Sequence, residues 1–135
     1  MTHLTDADRV AIHELIALHG HLVDDRRIDD LDQLFTDDAV YDVTALGFGR
    51  ETGLDGLRKL FPYDGADNPV AHLVTNTVVR VEPDGLVTAT SKGLGVAANG
   101  TVGAVVYDDR LSRTAAGWRI AERRVRRSAG ATNQA

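Results

Sequence analysis

The sequence predicts an α+β fold, helices first and a curved, mostly antiparallel sheet after them. Apolar residues recur every three or four positions as far as Phe61, the period of a helix face. Beyond Pro69 the period becomes two, the mark of strands. Turn signals at Pro83-Asp84-Gly85, Asn99-Gly100 and Thr114–Gly117 then divide the second half into four long strands. Helices followed by a run of strands is the α+β pattern.

Each element has a local reason. Thr5 is placed to cap a first helix, with Asp6 and Asp8 where the helix dipole favours negative charge. Its stripe is Ile12, Leu15, Ile16, His19, Leu22 and Val23. Asp29 is expected to cap a shorter helix through Phe35 that buries Leu31, Leu34 and Phe35. Ala39–Val43 reads as a strand, and Gly47-Phe48-Gly49 as a tight reversal. Thr52 opens a third helix with Leu54, Leu57, Leu60 and Phe61 on its apolar face, and Pro62 stops it. A loop over Asp64–Asn68 leads into strands expected at Ala71–Glu82, Leu86–Ala97, Val102–Ser112 and Trp118–Arg127. Residues 1–135 are expected to form one domain, with 128–135 a flexible tail.

Composition narrows the function classes. Fifteen basic against twenty acidic residues leave a formal charge of −5, which argues against a general nucleic-acid surface. Zero cysteines exclude disulfides, thiolate nucleophiles and cysteine-based metal sites. No apolar run reaches the roughly 18–20 residues of a membrane span, and the N-terminus lacks a signal-peptide pattern. A cytoplasmic location is the expectation. Gly93-Leu94-Gly95 lies within a strand rather than at a strand-to-helix turn, so no dinucleotide fingerprint supports a cofactor. His19, His72 and Asp24 have no compact ligand spacing, so no metal is expected.

The residues that could carry chemistry are few. His19 sits on the apolar stripe, where an imidazole must find a hydrogen-bond partner in the core or face a cavity. Asp24 lies roughly 140° around an ideal helix from His19, so helical geometry alone does not aim it at the core. In the strand at 71–82, His72, Val74, Asn76 and Val78 share one face, and Leu73, Thr75, Thr77 and Val79 the other. Both faces are partly apolar, so alternation leaves two phases open. If the first faces inward, an imidazole and an amide enter the core together, and a liganded cavity would account for both. Val87, Ala89, Ser91, Gly93 and Gly95 alternate along the next strand, and its two glycines either let the sheet curl or leave room for a molecule. Tyr41 and Tyr107 stand as hydrogen-bond donors for a pocket wall, or as ordinary core.

A resemblance joins these residues. The order is His19-(four residues)-Asp24, Leu34-Phe35-Thr36-Asp37-Asp38, His72-Leu73-Val74-Thr75-Asn76, then Gly117-Trp118-Arg119-Ile120. It resembles the SnoaL-like branch of the nuclear transport factor 2 superfamily over roughly residues 5–127, and within that branch scytalone dehydratase and hexachlorocyclohexane dehydrochlorinase. The resemblance implies a cone: a bent sheet around helices, with a pocket at the open end. It also implies a catalytic pair of Asp24 and His72, with Arg123 from the last strand as an added cation. His19 takes the place of a helix lysine in the dehydrochlorinase pattern, and many relatives have tyrosine there.

Together these readings imply a cofactor-independent lyase or isomerase, of dehydratase or cyclase type, acting on a small, largely apolar substrate. Asp24, His72, Arg123 and His19 would be catalytic, and Tyr41, Asn76, Gly93, Gly95 and Tyr107 would bind substrate. An epoxide hydrolase of the same fold and a non-catalytic binding or assembly module are the alternatives. Leu73, Thr75, Thr77, Val79, Thr88, Thr90, Leu94 and Val96 are expected to form a semi-apolar outer face, which implies a homodimer or homotrimer. Neither nucleic acid nor membrane is an expected partner.

Overall fold

The computed structural model describes residues 2–61 and 68–130. Helix α1 spans Asp6–Asp24 and is capped as its sequence predicts. Thr5 Oγ1 accepts from the Asp8 backbone N–H at 3.1 Å, while Asp8 Oδ2 accepts from the Thr5 N–H at 2.9 Å. The other Asp8 oxygen takes Arg113 Nη2 at 2.8 Å and Trp118 Nε1 at 3.1 Å, which ties the helix start to the far end of the sheet. The Thr5 N–H and the Trp118 indole hold the Asp8 carboxyl well below the usual carboxylate range. The whole expected stripe, Ile12 through Val23, is buried.

The next segment departs from expectation. Ile28–Gln33 forms a 3₁₀ turn rather than an α-helix, consistent with three aspartates of low helix propensity in six residues. Phe35 already belongs to a strand, β1, which spans Phe35–Asp42. A second 3₁₀ turn at Thr44–Leu46 and the short strand β2, Arg50–Thr52, follow. Thr52 does precede helix α2, but α2 covers only Gly53–Arg58. The expected stop at Pro62 and most of the 64–68 loop lie outside the described residues, as do residues 131–135 of the expected tail.

The second half follows the two-residue period. Strands β3 (Pro69–Val81), β4 (Val87–Ala97), β5 (Val102–Thr114) and β6 (Gly117–Arg127) pair antiparallel in sequence order. The six-stranded order is β2-β1-β6-β5-β4-β3. One pairing, β1 with β6, is parallel. Helix α1 packs against β3 and β6, and its buried stripe shares one core with Leu57, Phe61, Leu111, Ile120 and Val125.

A bulge in β3 changes the expected alternation. Thr75 pairs with Lys92 and Val78 with Thr90, so β3 holds one residue more than β4 across that interval. Asn76 takes up the excess at φ 57°, a left-handed conformation that asparagine tolerates better than most residues. Past the bulge the phase inverts. Val79 is buried and Val78 is 47% exposed, the reverse of the sequence expectation.

Candidate functional site

Five strands, β1 and β3 to β6, and the α2 end line a cavity of about 650 Å³. Its walls include Val43, Leu46, Leu60, Val105 and Val125, and its polar groups include Tyr41, Tyr107 and His72. A mainly apolar hollow with a few polar groups is the usual form of a small-molecule site.

Asp24 meets His72 at the edge of this hollow. The Asp24 Oδ1 to His72 Nδ1 distance is 2.6 Å, and Asp24 Oδ2 accepts from the His72 backbone N–H at 2.9 Å. Both carboxylate oxygens are thereby engaged by one residue, which fixes the carboxylate and the imidazole relative to each other. An ionised carboxylate can only accept, so in the neutral ring Nδ1 is the nitrogen that carries the hydrogen and Nε2 the one that keeps a lone pair.

The helix needs no inward turn to place Asp24, which is its last residue. Instead β3 comes to the helix. Gly20 and Asp24 are four residues apart and share a helix face. A Cβ on Gly20 would stand 2.5 Å from the His72 carbonyl oxygen, so only glycine lets the strand lie this close. Gly20 is a position that the sequence reading missed. Its signal was a glycine inside a helix, one turn before an acid on the same face.

His19 is 1% exposed and surrounded by rings. Its centroid lies 5.9 Å from His72 at 87°, 6.0 Å from Phe61 and 5.6 Å from Tyr107. Neither ring nitrogen has a hydrogen-bond partner among the described residues. Burial, with the charge of Arg123 adding to it, holds its pKa well below the ordinary histidine value, so His19 is neutral. It backs the cavity rather than lining it.

Arg123 is also behind the wall. It is fully buried, and Asp109 clasps it through Nε–Oδ1 and Nη2–Oδ2 contacts of 2.7 Å each. Its guanidinium carbon lies 4.3 Å from the centre of the Tyr107 ring. Asp109 was missed in the sequence, although it alternates inward with Tyr107 and Leu111 and pairs in register with Arg123. Arg123 Nη1 and Ser91 Oγ are buried without a hydrogen-bond partner among the described residues.

Tyr41, Tyr107, Gly93 and Gly95 line the cavity. The glycines do not leave vacant room, however. The Tyr107 ring fills the place of a Gly93 Cβ, and a Gly95 Cβ would meet Pro69 Cγ at 3.3 Å. Close approach by another group is therefore the reason for glycine at both. Asn76 is the clear correction: the bulge leaves it exposed and away from the cavity, in the strand region where phase is lost. His3, His13 and His21 are exposed. Among the described residues no three His, Cys, Asp or Glu side chains converge as a cation-binding group. No helix among them is long and apolar enough to cross a membrane.

Comparison with known proteins adds kinship to this geometry. A family model described as a SnoaL-like domain matches residues 5–124. The protein Rv2910c of Mycobacterium tuberculosis is 35% identical over 130 residues, covering 87% of this chain and 83% of its own length. A crystal structure of an NTF2-like protein with a cystatin-like fold from Novosphingobium aromaticivorans superposes with a TM-score of 0.76. It is 31% identical, over 93% of this chain and 85% of that one. The crystal structure of LinA superposes with a TM-score of 0.72 at 22% identity, over 96% and 95% of the two chains. The fold is thus the cystatin-like, NTF2-like cone.

Proposed function

The chain belongs to the SnoaL-like domain family, and from that premise we propose that it is a cofactor-independent lyase or isomerase using Asp24 and His72 on a small, largely apolar substrate. The observation that carries the proposal is the 2.6 Å contact between the two side chains beside an apolar hollow. Nε2 of His72 accepts a proton from substrate carbon or oxygen. Asp24 holds the tautomer that makes this possible and stabilises the imidazolium that forms. The same imidazolium then returns the proton to a leaving group or to another carbon. Dehydration, isomerisation and cyclisation all use this exchange.

His19 and Arg123 enter the proposal as supports. His19 presents a neutral ring edge-on to His72, and Arg123 holds Tyr107 from beneath. An epoxide hydrolase would need an arginine between two acids inside the cavity. Arg123 is bound to Asp109 behind the wall, and Asp24 is committed to His72, so this geometry favours proton transfer over that hydrolysis. Native mass spectrometry of the protein as isolated identifies the cavity's occupant. Conversion of that molecule is expected to stop in His72→Ala. Normal turnover by folded His72→Ala and Asp24→Asn proteins would assign the chemistry to another set of residues, and a wild type that binds the molecule without converting it would leave the binding-module reading standing.

A further inference from the structure

We infer that the cavity takes a monocarboxylate, an apolar body ending in one negative charge, and that Lys59 holds the carboxylate at the cavity mouth. The inference deepens the proposed function and rests on the cavity as the substrate site.

The strand register locates the mouth. Gly95 lies opposite His72 on β3 and opposite Gly103 on β5, and Ala97, two residues further on, pairs with Pro69. The chain then turns, with the Ala97 N–H donating to the Thr101 carbonyl at 2.9 Å. Pro69, Ala97 and Thr101 all line the cavity, so it runs from the level of His72 out to the β4–β5 turn. From His72 to Pro69 is three residues of extended strand, about 10 Å. Phe48 and Val102 mark the opening, since both line the cavity and yet are 69% and 60% exposed.

One permanent charge stands at this apolar opening. Lys59 lines the cavity, and no Asp, Glu or Arg does so among the described residues. It is exposed and follows the last residue of α2. The dipole at that helix end favours a cation, but Arg58 already meets it from within the last turn. Arg58 is also fully engaged, with Asp55 at 2.6 Å, Asp29 at 3.8 Å and the Ile28 carbonyl at 3.2 Å. Lys59 pairs with no described residue, although the chain carries twenty acidic residues for fifteen basic ones. A cation left unpaired beside an apolar hollow in an acidic chain is placed for an incoming anion.

The arrangement selects the kind of anion. A body buried in the hollow gains from leaving water, while a carboxylate kept at the mouth avoids the cost of burying a charge. One ammonium balances one charge. Phosphates are commonly met by an arginine fork, and no arginine lines the described wall. Anchoring at the mouth also sets register, because it presents to His72 Nε2 the part of the body about 10 Å from the carboxylate. Lys59 is thus a specificity-determining residue and takes no part in proton transfer.

The probes are 2-naphthylacetate, its neutral methyl ester and 2-naphthyl phosphate, titrated calorimetrically near neutral pH, where the acetate is ionised. The wild type is expected to bind the acetate about five- to tenfold more tightly than the ester, a preference that narrows as salt is raised. Lys59→Met keeps a similar stem without the charge. It should lower acetate affinity to that of the ester and leave ester binding unchanged, whereas Lys59→Arg should keep the preference. Shifts of the Gly103 and Val105 amide signals in NMR are expected to place each probe in the cavity. Equal acetate and ester binding by the wild type, a preference that survives in Lys59→Met, or binding that leaves those amides unmoved would overturn the assignment. Phosphate bound more tightly than acetate would overturn the monocarboxylate class, and a wild type that binds none of the three would overturn the apolar body. His72→Ala should retain the acetate preference, so turnover in that variant tests the base alone and the two readings fail separately.

Discussion

Asp24→Asn is the most informative single change, because its two oxygens serve one histidine. Asparagine has nearly the same shape but only one acceptor oxygen. If that oxygen keeps the His72 backbone N–H, now at 2.9 Å, the amide NH₂ faces Nδ1. Nδ1 must then accept, the ring hydrogen moves to Nε2, and the base is lost. If the oxygen keeps Nδ1, now at 2.6 Å, the NH₂ is driven against the His72 backbone N–H, donor against donor. That second arrangement costs about 1–3 kcal/mol for an unmet buried donor, so the first is preferred. Losing a charge-assisted bond to the imidazolium removes about 1.5–3 kcal/mol of transition-state stabilisation, or roughly 10- to 100-fold in rate. The tautomer penalty adds to this, and a total fall of about 10²- to 10⁴-fold in kcat is expected. The tautomer is measurable without any substrate. A long-range proton–nitrogen NMR spectrum should show the ring hydrogen of His72 on Nδ1 in the wild type and on Nε2 in the variant. A folded variant that keeps hydrogen on Nδ1 and turns over normally would refute this reasoning.

Further outcomes follow from the same contacts. Gly20→Ala must push β3 off the helix at the His72 carbonyl, costing about 1–3 kcal/mol in denaturant titration and lowering activity by separating Asp24 from His72. Asp109→Asn leaves the Arg123 charge buried and uncompensated and should cost about 3–5 kcal/mol, whereas the double change Asp109→Leu with Arg123→Met should recover most of it; equal losses in both would show that the pair's charge is not what matters. His19 is neutral in the native protein but takes a proton near pH 6.5 when unfolded, so its contribution is complete above that pH and falls below it by at most about 1.4 kcal/mol per unit. Between pH 7.5 and 5.5 the wild type should therefore lose more stability in urea than His19→Met, and parallel losses would contradict burial as the cause. The outer sheet face, where Leu73 pairs beside Leu94 at 47% and 39% exposure, is expected to be covered by a second or third copy of the chain; a 14.5 kDa species in sedimentation at micromolar concentration would count against it.

The parts of the fold that could be read in advance are those decided by neighbouring residues. Thr5 with Asp8 announces a capping box, and the stripe from Ile12 to Val23 needs no knowledge of what covers it. Pro83-Asp84-Gly85 and Asn99-Gly100 set two hairpins, so the β3–β4–β5 meander follows from local chemistry. The region from Ile28 to Thr52 was harder for a physical reason. β1 gains its place from a parallel partnership with β6, some eighty residues later, and no local signal reports a parallel pairing. Thus Phe35, which local pattern assigns to a helix, joins the sheet beside Ile120.

The site divides along the same line. Asp24 and His72 were legible only through likeness to a family, since helical angles pointed Asp24 away from the stripe. The structure explains the discrepancy: Asp24 looks sideways, along the face it shares with Gly20, and the strand rather than the core meets it there. Asn76 misled because alternation carries phase only as far as the next bulge, and one left-handed residue was enough to end it. Gly93 shows the opposite case. Its small size was noticed as spare volume, but the volume belongs to Tyr107, whose ring starts opposite Ser91, two residues along the strand. A glycine on an inward strand face therefore reports a close neighbour before it reports a ligand. In this cone both kinds of information converge, since the neighbour that fills the slot is itself part of the cavity wall. Shape at Gly20 and Gly93 therefore sets where the His72 backbone and the Tyr107 ring stand, and with them two of the polar groups of the cavity wall.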